Sequence, residues 1–351
     1  YADTRQMDGY DKSINCFMSA REDGKSTKFW IKKIYKPWKE SGQTALCLVY
    51  NAVELGEEFF NSIQDNIINK FTDDNVQFEY NKSSIDKGVV DIKIKGKLFV
   101  RFLALSVKLR KIKQSLLKDI GLIWMDEYII NPRKGEKYPK GVAFTLEEIY
   151  STYKRERKDK SKPLKMYFTG NPYSLYCPVH MWLKIPTNKL HLGEILTGEN
   201  WCFHWHKLSD ELIAKLKEDN PMLQIDEDYS KYAFDGKPIN DENIKVVEEL
   251  PKNYTMRFVF KHEGNYVVVF QNQYYIEHCD KYYCCIMNRH QISRYRQVIC
   301  FDFGELVNRC ALLSPSDRNK FNSFKIAMRR RNVAFQSIEC YYLVEEIYFN
   351  L

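Results

Sequence analysis

Eight residues near the start of the chain limit its possible folds most: Ser19-Ala20-Arg21-Glu22-Asp23-Gly24-Lys25-Ser26, followed by Thr27. They match the phosphate-loop pattern G-x-x-x-x-G-K-[ST] at each fixed position except the first, where Ser19 stands for glycine. An apolar run at 14–18 reads as a buried strand before the loop, and 25–38 reads as a helix after it. In that setting the backbone amides of the loop and of the helix N-terminus point at a phosphate. Lys25 reaches the outer phosphates of ATP, the Ser26 hydroxyl takes a place on Mg²⁺, and Gly24 lets the backbone approach closely. As a bare octapeptide the same string is also an ordinary turn, so the neighbouring elements carry much of the inference.

The chain beyond it alternates. Residues 45–50 read as a second apolar strand, 54–71 have helical periodicity, and 89–105 alternate around Lys95-Gly96-Lys97 like a hairpin. The apolar run 121–125 reads as a strand ending in Asp126-Glu127. Residues 145–157 read as a helix with Thr145 and Glu148 as a capping box, and 164–169 as another buried strand. Strands interleaved with helices imply an α/β fold with a parallel sheet, whose ligand-binding groups collect at the carboxyl ends of the strands. Asp126 is expected to hold Mg²⁺ through its water shell and Glu127 to polarise the attacking water. Taken alone, the same pair is a strand end with solvated acids. Asn171, at the end of the 164–169 run, can sense the outermost phosphate or orient the water, or, as Asn-Pro, mark a turn. Arg155 and Arg157 can stabilise transition-state charge on a neighbouring subunit's nucleotide; a solvated charge run and a DNA-backbone contact are the competing readings.

Formal charge is +8, which favours an anionic partner but does not identify one. Basic residues concentrate at 154–158, 108–118 and 329–331, whereas 209–250 is acid-rich. No apolar run approaches the ~20 residues of a membrane span and the start lacks a signal-peptide core, so a cytosolic protein with no membrane partner is expected. Because the sequence opens on Tyr1, a short upstream piece is expected as well. The ten cysteines lie scattered, many in strand-like runs, as reduced thiols do. His278, Cys279, Cys284, Cys285 and His290 raise a zinc question, but incidental thiols are the preferred reading. Residues 201–206 alternate like a strand whose histidines, His204 and His206, suit packing better than metal binding. After about 205 the character changes to an acid-rich connector over 206–250. A strand-rich α+β unit follows over 251–351, with strands at 256–262, 266–271 and 274–278, a helix near 315–331 and a last apolar stretch at 338–348.

The order of these elements resembles the DNA-packaging ATPases of tailed phages, of the phi-29 type. The resemblance rests on the strand and loop with Ala20-Arg21 just inside it, the Asp126-Glu127 pair followed by aromatic Tyr128, Arg155-Glu156-Arg157, and Asn171. It is strong over 14–175 and weak beyond 205. It implies a P-loop ATPase domain of the ASCE class over 1–205, a linker over 206–250, and a vestigial RNase H-like nuclease domain over 251–351 that binds nucleic acid or the portal. It also implies subunits assembled as a homo-oligomeric, pentameric ring on the portal, or connector, of a procapsid. Such a ring drives double-stranded DNA inward with ATP and Mg²⁺ in the host cytoplasm, in some cases with a packaging RNA. Two departures stand out: Ser19, and Val49-Tyr50-Asn51-Ala52 where the family has an arginine-rich segment.

A terminase that also cuts DNA, or a non-catalytic nucleic-acid-binding protein, are the alternatives. A nuclease needs convergent carboxylates to hold two metals. The first strand of the C-terminal unit, 257–262, has none, leaving Glu263, Glu277, Asp280 and Asp302. Arg257, Lys261, Arg289, Arg294, Arg296 and Arg329 to Arg331 suit binding to a phosphate backbone or, equally, an ordinary basic surface.

Overall fold

A computed structural model describes residues 10–107, 120–131, 138–139, 141–157, 163–175, 177–186, 190–221, 230, 232–236, 238, 245–262, 264–274, 281–292, 297–300, 310–313, 319–330 and 332–350. The chain divides into two compact units, Tyr1–Ile239 and Asn240–Leu351. The first therefore runs past 205 and takes in part of the acid-rich stretch.

Nine strands of the first unit form one sheet: β1 (Ile14–Met18), β2 (Thr44–Val49), β3 (Phe78–Glu79), β4 (Val89–Ile94), β5 (Lys97–Ala104), β6 (Ile120–Asp126), β7 (Lys165–Gly170), β8 (Ile195–Thr197) and β9 (Trp201–Trp205). Their order is β3-β4-β5-β2-β6-β7-β1-β9-β8. The six strands from β5 to β9 run parallel, and antiparallel β4 and β8 flank them. Strands buried on both faces need apolar residues at successive positions, and β1 and β2 are buried along their whole length. The twofold alternation sorts those side chains into two cores. Cys16, Met18, Leu48, Met125 and Phe168 face one layer together with Leu146 and Ile149 of the helix Val142–Glu156. Phe17, Cys47, Trp124 and Tyr167 face the other with Phe29, Trp30 and Ile34. There Trp124 stacks on Phe29 at 4.5 Å and meets Trp30 edge-on at 5.1 Å.

The helix after the phosphate loop is longer than 25–38. It runs as α1 (Lys25–Phe29), a π-helical stretch Trp30–Tyr35, and α2 (Lys36–Ser41). Pro37 supplies a reason for the wide turn: it has no N–H to donate and its ring crowds the preceding carbonyls, a conflict that looser winding relieves. A second correction concerns α3 (Val142–Glu156). It begins three residues before Thr145, with Gly141 at its N-cap in the left-handed region at φ 66°, so Thr145 lies buried inside the first turn and forms no capping box.

The second unit holds a six-stranded sheet of β10 (Tyr254–His262), β11 (Asn265–Asn272), β12 (Tyr282–Met287), β13 (Val298–Cys300), β14 (Cys310–Leu312) and β15 (Val333–Phe335). The order is β14-β13-β10-β11-β12-β15. The first three form an antiparallel meander, and parallel strands extend it on both sides. This is the α+β unit expected, with helices Asn322–Arg329 and Ile338–Asn350, and the next described strand after β11 is Tyr282–Met287, beyond the expected 274–278. Tyr274 sits in the turn after β11, and the rest of that run lies outside the described residues.

Candidate active site

The phosphate loop leaves the carboxyl end of β1 and closes before α1. Arg21–Asp23 make one 3-10 turn, and Gly24 adopts φ 69°, ψ 17°, a left-handed conformation that disfavours a Cβ. Ser19 occupies the departing glycine position without disturbing the turn. It is fully buried, its N–H donates to Gly170 O at 3.2 Å, and its hydroxyl lies 3.5 Å from Ala20 O. Arg21 is exposed, and Ser26 and Thr27 are half-buried at the start of the helix.

Lys25 is buried at 4% exposure. Its Nζ donates to Ala20 O at 3.1 Å and to Asn171 Oδ1 at 2.5 Å. Sheet order explains the second bond. β7 lies between β1 and β6, so the residue following β7 emerges between the loop and the acidic pair. Thr169 pairs with Phe17 on one side and Asp126 on the other, which places β1 and β6 two strand spacings, roughly 10 Å, apart.

Asp126 is fixed through one oxygen. Its Oδ1 accepts from the Thr169 hydroxyl at 2.6 Å and from the Glu127 N–H at 3.1 Å. Thr169 in turn accepts from Trp124 Nε1 at 2.8 Å, so the buried aromatic core sets the carboxylate's angle. Oδ2 accepts no hydrogen bond among the described residues. A carboxylate anchored by one oxygen at a strand's carboxyl end could serve a hydrated Mg²⁺. Glu127 is exposed and has φ 50°, a left-handed conformation at a non-glycine residue.

Sequence reasoning missed how the loop's own Asp23 is placed. It is fully buried, and neither carboxylate oxygen has a hydrogen-bond partner of good geometry. Burial raises its pKa, and Ser19, His206 and Lys25 oppose the rise. His206 arrives from the end of β9, where its N–H donates to Met18 O at 2.8 Å and its ring stacks on Phe17 at 5.5 Å. A buried carboxylate here would oppose any triphosphate brought to the loop. Asp23→Asn is therefore expected to tighten ATP binding about five- to tenfold, as removing one like charge from a partly desolvated site implies, read by titration with a fluorescent ATP analogue. Because a raised carboxyl pKa means that the folded chain holds its proton longer, the native carboxylate costs stability above its folded pKa. The Asn variant should accordingly melt higher at pH 7 to 8, with the difference shrinking as the pH falls. Equal melting temperatures across that range would contradict this.

Arg155 and Arg157 lie elsewhere. α3 leaves the carboxyl edge of the sheet and returns to the start of β7, and Tyr150 Oη already donates to Leu164 O at 3.2 Å, just before that strand. The helix thus carries both arginines to the edge opposite the phosphate loop. Arg155 is exposed and paired with Glu156 at 3.1 Å.

In the second unit none of the six strands contains Asp or Glu. Among the described residues no three of His, Cys, Asp and Glu group as a metal site, and Cys284 and Cys285 are buried thiols whose pKa values burial raises. His278, Cys279, Glu263, Glu277, Asp280, Asp302, Arg294, Arg296, Arg331 and residues 108–118 lie outside the described residues. No described helix is long and apolar enough to cross a membrane.

No family model matches the sequence, and no curated protein matches it. Two solved structures share its fold along nearly the whole length. The phi-28 gp11 DNA packaging motor superposes with TM-score 0.64 at 15% identity, over 99% of this chain and 96% of that one. The bacteriophage phi-29 viral genome packaging motor assembly does so with TM-score 0.64 at 15% identity, over 100% and 99%.

Proposed function

We propose that the chain is the ATPase subunit of a viral packaging motor, hydrolysing ATP with Mg²⁺ to translocate double-stranded DNA into a procapsid as a ring. The observation that carries the reading is the convergence at one sheet edge of Lys25, its bonded partner Asn171, and Asp126 locked to Thr169 on the strand between. Three motifs separated by up to 146 positions meet where a triphosphate would lie.

In this reading the loop amides and Lys25 bind the phosphates, and Glu127 orients and polarises the attacking water. Asn171 ties the position of the Lys25 ammonium to the strand next to the acidic pair. Ser26 and Asp126 would hold Mg²⁺, which, when bound, neutralises charge on the phosphate oxygens. Placement of Arg155 and Arg157 at the far edge supports their acting on a neighbour's nucleotide, which makes the site complete only in an assembly. A pentameric ring, docking to a portal or connector and a packaging RNA partner belong to the same reading, as what the sequence resemblance implies. The absence of carboxylates on the β10–β15 strands disfavours a cutting role for the second unit, whose Arg257, Lys261 and Arg289 suit backbone contact with DNA.

ATP turnover measured with and without linear double-stranded DNA tests the proposal. Hydrolysis stimulated by DNA, and abolished in Arg155→Ala/Arg157→Ala but partly restored by mixing with Glu127→Gln subunits, is the expected result. No hydrolysis under either condition would overturn it.

A further inference from the structure

The peptide after the acidic pair is held more firmly than a loop needs to be. Glu127 sits at φ 50°, a conformation that costs a non-glycine residue energy and persists only where its surroundings impose it. Tyr128 imposes it. Its N–H donates to Thr169 O at 3.3 Å, its carbonyl accepts from the Tyr50 hydroxyl at 2.5 Å, and its own hydroxyl lies 2.7 Å from His180 Nε2. The ring packs against Gly170, where a Cβ would come within 2.9 Å of two ring carbons.

His180 completes the line. Its Nδ1 is 2.5 Å from Leu175 O, an acceptor only, so Nδ1 carries the proton and Nε2 accepts from Tyr128. Both side chains are fully buried, and burial holds the imidazole neutral by lowering its pKa to about 4. Leu175 lies four residues beyond Asn171, the partner of Lys25. The buried chain Leu175 O, His180, Tyr128 therefore joins the turn after β7 to the peptide that aims Glu127.

We propose that Tyr128 and His180 are positioning residues that hold Glu127 in its reactive orientation and couple it to the Asn171 turn. This rests on the reading that Glu127 directs the attacking water. Neither residue touches substrate, so their removal acts on the chemical step and leaves ATP binding alone.

The test is steady-state ATP hydrolysis by the full chain, with nucleotide affinity measured separately by fluorescence titration. Tyr128→Phe and His180→Leu are expected to lower kcat about 10- to 100-fold with KM within twofold of wild type, the range typical of residues that orient a catalytic group. His180→Gln, which keeps an acceptor for the tyrosine, should recover part of the loss. Where either apolar variant does not fold by thermal melting, Tyr50→Phe reads the same linkage by removing only the bond to the Tyr128 carbonyl, with an expected fall of about three- to tenfold. Wild-type kcat in the folded variants, or a rise in KM at unchanged kcat, overturns the inference. Glu127→Gln run in parallel separates the two failures. If that variant is inactive while the Tyr128 and His180 variants run at full speed, only the positioning role is lost; if it is fully active, the underlying reading fails.

Discussion

Glu127→Gln is expected to lower kcat for ATP hydrolysis by about 10²- to 10⁴-fold, the span expected for loss of a positioned general base, while ATP still binds. The substitution keeps shape and volume and removes only the group that accepts a proton. Glu127 is exposed, and its N–H bond to Asp126 Oδ1 is a backbone contact that Gln preserves. Folding stability should change by less than about 0.5 kcal/mol, as for isosteric changes at exposed positions. Single-turnover kinetics with radiolabelled ATP, beside equilibrium binding of a fluorescent analogue, separates the chemical step from affinity. Turnover within threefold of wild type would mean that the water is activated elsewhere, and the assignment of the acidic pair would fall with it.

What could be read from residues alone divides along a physical line. Local signals sufficed for the loop, because Gly24-Lys25-Ser26 between an apolar strand and a helix leaves few alternatives, and for β6, because five apolar residues ending in two carboxylates describe a buried strand with a wet end. The Lys25 to Asn171 bond was different: both residues were nameable, but their contact depends on β7 inserting between β6 and β1, a matter of sheet order that no short pattern encodes. The same holds for Asp23, whose charge environment includes His206 arriving from β9, and for the Tyr128 to His180 bond across 52 positions. The misplaced start of α3 had another cause. Thr145 and Glu148 carry the capping-box spacing, but Gly141 in a left-handed conformation starts the helix a turn earlier and absorbs Thr145 into the core. In the second unit, the alternation ran on as far as Tyr274, which sits in the turn after β11, and the strand period alone did not mark where the pairing of β11 stops.

Lys25→Ala is expected to weaken ATP binding and kcat/KM together by about 10³-fold, since it removes charge-assisted hydrogen bonds to the phosphates of about 1.5–3 kcal/mol each. Unlike Glu127, Lys25 is buried, and its loss reaches into the resting chain. Asn171 Oδ1 loses its donor, and Asp23, already carrying a carboxylate against the cost of burial, loses one of the charges that offset that cost. The single variant should therefore melt lower than wild type, a destabilisation that by itself could be mistaken for the cause of inactivity. Asp23→Asn in the same background separates the two effects. It removes the buried charge that Lys25 was compensating, so the double variant should regain most of the lost melting temperature, with a coupling between the two sites in the range of about 0.5–3 kcal/mol found for contacting residues. ATP binding should stay lost, because no ammonium has been returned to the phosphates. A double variant that recovers both stability and affinity would show that Lys25 serves the loop's architecture and not the nucleotide.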